Sequence, residues 1–323
     1  MDKQFVRDLK DRDTVGSIFL ATDKMVLTDR NGKTYMSFNL ADSSGSINAR
    51  IWEKVEEWSK TFEPGDFVRV KGFVQTYQSR RQVIVHDVQR ASREEVTLKD
   101  FVGSTVADPN QMFDQLIALT GTMTNSHIRD LVLAVLNDSE IQARLLKAPA
   151  AKSIHHAYMG GLLEHVLSIC RTMDFLASHY RFLDRDLLIF GAIFHDIGKV
   201  WELNIEEGIK YTDRGRLVGH MAIACELIDD KVRGIFGFPV TLKDVLKHIV
   251  LSHHGKLEYG SPKEPAFPEA MVVAMIDDLD SKLNTVVGFM RQELNSGENW
   301  TRLNPQFERY FYLNFLRDKE GPG

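Results

Sequence analysis

The sequence predicts an α+β protein of two domains, a small five-stranded β-barrel followed by an all-α bundle. Three observations predict it. Residues 1–92 carry short runs in which apolar and polar residues alternate, residues 111–318 carry apolar residues at three- and four-residue spacing, and the linker 93–110 between them carries neither period.

In order along the front, "VGSIFLATDKMVLTD", "KTYMSFNLAD", "SINARIW", "DFVRVKGFVQTYQ" and "RQVIVHDVQRA" are rich in β-branched and aromatic residues, and Asn31-Gly32, Ser44-Gly45 and Pro64-Gly65 punctuate them. Met36, Phe38 and Leu40 alternate with Tyr35, Ser37 and Asn39, and Ile47, Ala49 and Ile51 alternate with Asn48, Arg50 and Trp52. One apolar face at period two is a strand lying on a core. "EKVEEWSKTF" reads as a short helix between the third and fourth strands. Three strands, a helix and two more strands is the order of an OB-fold, a barrel that commonly binds oligonucleotides.

The alternation turns Tyr35, Arg50 and Trp52 outward, and Phe19 and Tyr77 are expected to join them. Exposed aromatics beside arginine suit the stacking of single-stranded bases. The same face would equally suit cover by the helical domain or by a partner subunit. Arg80 and Arg81, in the turn "QSRRQ", are placed to meet backbone phosphates.

From Gln111 onward "HIRDLVLAVLNDSEIQARLL", "GGLLEHVLSICRTMDFLASHY", "DRDLLIFGAIFHDIG", "LVGHMAIACELIDDKVRGIF", "LKDVLKHIVLSHHG" and "PEAMVVAMIDDLDSKLNTVVGFMRQEL" are helical in period, with no convincing strand between them.

The chain has 323 residues, 43% apolar and 26% charged, the composition of a globular protein with a sizeable core. No apolar run approaches the roughly 18–20 residues that span a bilayer. The charged start "MDKQFVRDLKDRD" lacks a secretory apolar region. Two cysteines, Cys170 and Cys225, lie in apolar helical stretches and read as small buried hydrophobes, so a disulfide framework is not expected and a reducing cytoplasm is. The net charge of −5 divides unevenly: residues 1–93 hold 16 Lys+Arg against 13 Asp+Glu, and the rest 24 against 32, or +3 and −8. The front is mildly basic, and the back is acidic enough to attract divalent cations.

Histidines and aspartates recur where the helices are apolar. His165 sits mid-helix, His195-Asp196 closes the next helix, His220 opens another, His253-His254 ends a fourth, and Asp277 lies inside "VVAMIDDLDSK". A single such histidine is ordinarily a hydrogen-bonded core residue, but a buried carboxylate needs a partner, and five helices each offer a group of this kind. Imidazole with carboxylate suits Zn, Mn, Fe, Co or Ni, and the lack of thiolates favours an open, catalytic site over a closed structural one.

The string H…HD…D on helices resembles the HD-domain superfamily of metal-dependent phosphohydrolases. The resemblance places His165, His195, Asp196 and Asp277 as metal ligands, with Asp278 the rival to Asp277 and Asp280 about a turn further on. It also makes His220, His253 and His254 ligands of a second ion, with Asp196 bridging. "APAAKSIHHAYMGGLLEHVL", "HDIGK", "GRLVGH" and "SHHG", behind an OB-like front, narrow the resemblance to the YhaM-type 3′-to-5′ exoribonucleases. That resemblance covers nearly the whole chain. It implies divalent metal (Mn, Fe, Co, Ni, Zn or Mg), two ions per site, and hydrolysis of single-stranded RNA or DNA. The expected products are nucleoside 5′-monophosphates released from the 3′ end. The runner-up is a phosphodiesterase of small or cyclic nucleotides, with the barrel a regulatory or assembly module. On either reading Asp196, Lys199 and His220 are the catalytic candidates. Lys152, His156 (with His155) and Arg214, with Tyr35, Arg50 and Trp52 on the barrel, are the candidates for substrate contact. Lys199 is expected to neutralise phosphoryl charge, and Gly198 to let the chain turn away. Oligomeric state is left open, a homo-oligomer included.

Overall fold

The structure is a computed structural model that describes residues 3–29, 31–77, 80–97, 100–101, 105, 107–151, 158–205, 209–294 and 297–320. The front is a closed barrel of β1 (Thr14–Thr28), β2 (Thr34–Asp42), β3 (Gly45–Ile51), β4 (Phe67–Tyr77) and β5 (Arg80–Arg90), in the order β1-β2-β3-β5-β4. β4 closes antiparallel on β1, and β3 pairs parallel with β5. A one-turn helix, α1 (Val55–Trp58), lies between β3 and β4 as the sequence predicts. Alternation fills the interior with Met36, Phe38, Leu40, Ile47, Ala49 and Ile51. At the β4–β5 irregularity a Cβ on Gly72 would lie 2.2 Å from the Ile84 carbonyl oxygen, so only glycine fits there.

The first strand departs from expectation. Phe19 is fully buried inside the barrel and does not share the outer face with Tyr35 and Trp52. Outward-facing Ile18 and Leu20 on β1 are themselves covered, because Val96 and Phe101 pack against them and Phe67. Tyr77 is exposed, as expected.

The back is helical. Its elements are α2 (Pro109–Gly121), α3 (Ser126–Leu136), α4 (Ser139–Leu145), α5 (Gly161–His179), α6 (Arg185–Phe194), α7 (Lys199–Glu202), α8 (Asp213–Leu217), α9 (His220–Val232), α10 (Val240–Ser252), α11 (Pro268–Glu293) and α12 (Asn314–Glu320). Asp108, Asn125, Asp138 and Asp184 cap α2, α3, α4 and α6 by accepting from backbone N–H groups of the first turn. The six long runs of the sequence thus resolve into discrete helices, while α5, α9, α10 and α11 start without a side-chain cap. Their apolar stripes share one core, in which Leu163, Val166, Ile189, Phe190, Ile249 and Val273 join α5, α6, α10 and α11. Cys170 is buried in it, Cys225 packs at its edge, and both are free.

Inside the helical region a hairpin of β6 (Leu203–Asn204) and β7 (Lys210–Tyr211) appears, too short to show a period in sequence. Through it the bundle meets the barrel, where Lys210 Nζ lies 3.2 Å from Asp66 Oδ1 and Arg90 lies 3.1 Å from the same oxygen. Among the described residues no helix is long and apolar enough to cross a membrane.

Candidate metal centre

α6 is the most buried of the site's supports. Phe190, Ile193 and Phe194 fix it in the core, with Phe190 and Phe194 stacked at 4.3 Å. Its C-terminal end delivers His195 and Asp196 into the interior, 0% and 2% exposed. Gly198 serves a different purpose from the one expected. Its φ of −63° is ordinary helical backbone, so no unusual turn is needed. A Cβ there would lie 2.0 Å from the His220 carbonyl oxygen, so Gly198 is what lets the start of α9 approach Asp196.

Two groups of ligand-type side chains meet at Asp196. His165, His195, Asp196 and Asp277 bring one donor atom each within 4.8 Å of one another, and so do His220, His253 and His254. Asp196 faces both. Its Oδ2 lies 3.4 Å from His195 Nε2 and 3.8 Å from His165 Nε2, and its Oδ1 lies 3.6 Å from His220 Nε2 and 3.7 Å from His253 Nε2. Asp277 Oδ1 is 3.2 Å from His165 Nε2. The rival Asp278 points to solvent and pairs with Lys282 at 2.6 Å.

Every one of the five histidines is held by its other nitrogen. Nδ1–H donates to the Gly191 and Ala192 carbonyls from His195 (3.1 and 3.0 Å), to the Val250 carbonyl from His253 (2.7 Å) and to the Tyr259 carbonyl from His254 (3.0 Å). His165 and His220 donate instead to carboxylates, Asp280 at 2.8 Å and Glu202 at 3.1 Å. A carbonyl or carboxylate can only accept, so each contact puts a proton on Nδ1, and Nε2 of His165, His195, His220 and His253 faces Asp196.

The donor chemistry fits a cation. Asp196 Oδ1, His220 Nε2 and His253 Nε2 are buried with no hydrogen-bond partner. Acceptors facing one another out of water are costly unless a positive charge lies among them. Burial, then the proximity of His195, holds His253 well below the ordinary imidazole range, so its Nε2 offers a lone pair. Burial and then His220 depress His254 in the same sense. Burial would raise Asp196 and Asp277, but Lys199 and His195 hold Asp196 well below the usual range, and His195 with His165 holds Asp277 low. At His165 burial acts downward, yet its bonds to Asp277 and Asp280 prevail and raise it to about 9. An ion held by His165 would have to displace that proton.

Lys199, first residue of α7 and half-buried, places Nζ 2.7 Å from Asp196 Oδ2. Burial opposes its charge, but the Asp196 carboxylate outweighs that and raises its pKa. Arg214 on α8 is exposed and paired with Glu226 at 2.5 Å. Lys152, His155 and His156 lie outside the described residues.

On the barrel Tyr35 and Trp52 stack on each other at 4.7 Å, 23° between planes, with Arg50 5.4 Å from the Tyr35 ring and Lys33 5.8 Å from Trp52. All three predicted residues are half-buried. Arg80 opens β5, and the Arg81 guanidinium donates to the Leu9 carbonyl.

The class follows from both halves. Residues 16–91 match the OB-fold nucleic acid binding domain, and residues 162–282 match the HD domain. The chain is 33% identical over 285 residues to the 3′-5′ exoribonuclease YhaM of Bacillus subtilis, spanning 87% of this chain and 89% of that one. It is 33% identical over 299 residues to YhaM of Halalkalibacterium halodurans, 92% of each chain. It is 31% identical over 317 residues to YhaM of Listeria monocytogenes, 95% of this chain and all of that one. The chain belongs to the YhaM family of 3′-5′ exoribonucleases.

Proposed function

We propose that this protein is a metal-dependent phosphodiesterase that shortens single-stranded RNA from its 3′ end, releasing nucleoside 5′-monophosphates in the cytoplasm. The observation that carries the reading is the convergence of two histidine groups on Asp196, which faces Nε2 of His165, His195, His220 and His253. The relatives' naming as 3′-5′ exoribonucleases supports the substrate and the polarity.

His165, His195 and Asp277 would hold one ion and His220, His253 and His254 a second, with Asp196, which faces both groups, contributing to each. Nitrogen and oxygen donors without thiolate suit Mn, Fe, Co, Ni, Zn or Mg. Bound divalent ions supply Lewis-acid activation of water and neutralise phosphate charge. The remaining work falls to the chain. Lys199 keeps Asp196 ionised and oriented, and its ammonium meets charge developing on phosphoryl oxygens. His220 acts as a ligand and not as a proton donor, because Nδ1 is committed to Glu202 and Nε2 to the centre. Tyr35, Trp52 and Arg50 grip single-stranded bases on the barrel, with Lys33 or Arg50 moving off the stack to admit a base.

That closed stack favours one aspect of the alternative, a phosphodiesterase of small or cyclic nucleotides in which the barrel takes no part in substrate binding. Asp196→Ala tests the common core of both readings. Hydrolysis and most metal binding are expected to vanish while the helical circular dichroism persists. Full metal content and full activity in that variant would overturn the proposal.

A further inference from the structure

We infer that Asp280 and Glu202 are positioning residues that make His165 and His220 effective metal ligands. The inference rests on the metal-centre reading and explains why these two histidines, alone of the five, are backed by carboxylates.

Helix geometry decides what can hold a ligand histidine. The last carbonyls of a helix have no intrahelical partner. His195 and His253, each at a C-terminal end, turn Nδ1 back onto carbonyls of the last turn three or four residues earlier, the Gly191 carbonyl accepting the His195 backbone N–H as well. His254 finds a carbonyl in the loop that follows. His165 lies just past the first turn of α5, where the carbonyls of that turn accept from backbone N–H groups of the helix itself. His220 opens α9, and a helix start presents N–H groups, not carbonyls. Neither can be held by its own helix, so an acceptor must come from elsewhere.

Asp280 supplies the first. It stands three residues after Asp277 on α11, hence on the same side. Its Oδ2 accepts from His165 Nδ1 at 2.8 Å, and its Oδ1 accepts from Ser168 Oγ at 2.7 Å. Ser168 is itself three residues beyond His165, so one carboxylate straps α11 to α5 beside the ligand. Asn284 adds a bond to Oδ2 at 3.2 Å. Glu202 supplies the second. Its Oε1 accepts from both the backbone N–H and Nδ1 of His220, each at 3.1 Å, which fixes the ring and the helix start together. A Cβ on Gly215 would fall 2.4 Å from the Glu202 carbonyl oxygen, so the backbone of Glu202 is wedged in place. A carboxylate behind an imidazole also makes Nε2 a stronger donor than a carbonyl does.

The test uses Co²⁺ as the probe, with affinity from chelator competition and geometry from its visible absorption, on the full chain. Wild-type uptake of Co²⁺ establishes the centre itself, and its failure would remove the metal reading and this inference with it. Asp280→Asn and Glu202→Gln keep an acceptor oxygen but lose the charge, whereas Asp280→Ala and Glu202→Ala lose both. Affinity should fall about 10–100-fold in total, in the order wild type, amide, alanine, with an altered Co²⁺ spectrum and unchanged helical circular dichroism. Asp278→Asn, in solvent on the same helix, should match wild type. Wild-type Co²⁺ affinity and spectrum in both amide variants and both alanine variants would overturn the inference. The amide variants keep that outcome readable where an alanine variant fails to fold.

Discussion

Gly198→Ala should damage the centre although it touches no ligand side chain. The new Cβ would lie 2.0 Å from the His220 carbonyl oxygen, 2.7 Å from its carbon and 2.8 Å from its Cα. Contacts to Cβ essentially never fall under 3.0 Å, so the start of α9 must retreat by about 1 Å. The obstacle is backbone and cannot swing aside like a side chain. Overpacking of this kind costs about 1–3 kcal/mol, and a domain of this size loses roughly 2–4 °C in Tm per kcal/mol. The same retreat carries His220 Nε2 away from Asp196 Oδ1, now 3.6 Å apart. A misplacement of about 1 Å can lower catalysis by about 10²-fold. Turnover on single-stranded RNA should therefore fall by roughly that factor, with Tm lowered by several degrees and the metal of the His220 group lost first. Gly191→Ala is the comparison, because there the Cβ meets Val273 and Ile249 methyl groups at 2.5 and 3.0 Å, which can repack. Wild-type turnover and Tm in Gly198→Ala would refute the close-approach argument.

Metal uptake should also depend on pH. His165 is raised to about 9 by Asp277 and Asp280 against the opposing effect of burial, so the metal-free ring carries a proton at neutral pH that an ion must release. Apparent affinity should climb about tenfold per unit as pH rises toward 9 and then level off, and calorimetry in buffers of different ionisation heat should detect the released proton; uptake without release below pH 8 contradicts it. By the same sign, His165 stabilises the metal-free fold fully below its unfolded value, and that stability declines as pH rises through about 9. Trp52→Ala with Arg50→Ala should weaken binding of long single strands by about 1–3 kcal/mol per stacked base and spare a small chromogenic phosphodiester; equal losses on both would assign the stack to folding. Lys199→Ala should lower turnover about 10²–10³-fold with a much smaller loss of metal, and Lys199→Arg should recover only part of it, whereas unchanged turnover would make the ammonium a mere partner of Asp196.

The parts legible in the sequence are those where one face of an element meets water. β2 and β3 alternate cleanly because Tyr35, Ser37, Asn48 and Arg50 face outward while Met36, Phe38, Ala49 and Ile51 face in. β1 misleads because both its faces are covered. Ser17 points inward and is buried, Ile18 and Leu20 point outward under Val96 and Phe101, and Phe19 could not be assigned from alternation. The histidines of the candidate centre are legible because polar groups interrupt apolar helical runs. Their supports are not. Glu202 ends a four-residue helix and Asp280 lies in a polar stretch of α11, and only the packing of separate elements brings them to His220 and His165. Gly198 was visible, but its reason, the His220 backbone, lies in another helix.

The central claim is metal-dependent removal of nucleotides from the 3′ end of RNA, and 5′-end-labelled single-stranded RNA tests it most directly. With Mn²⁺ or Mg²⁺ the account predicts a ladder of progressively shorter labelled products and release of nucleoside 5′-monophosphates. EDTA and Asp196→Ala should each abolish both. Immediate appearance of labelled mononucleotide without a ladder, or an unchanged ladder in EDTA, would contradict it.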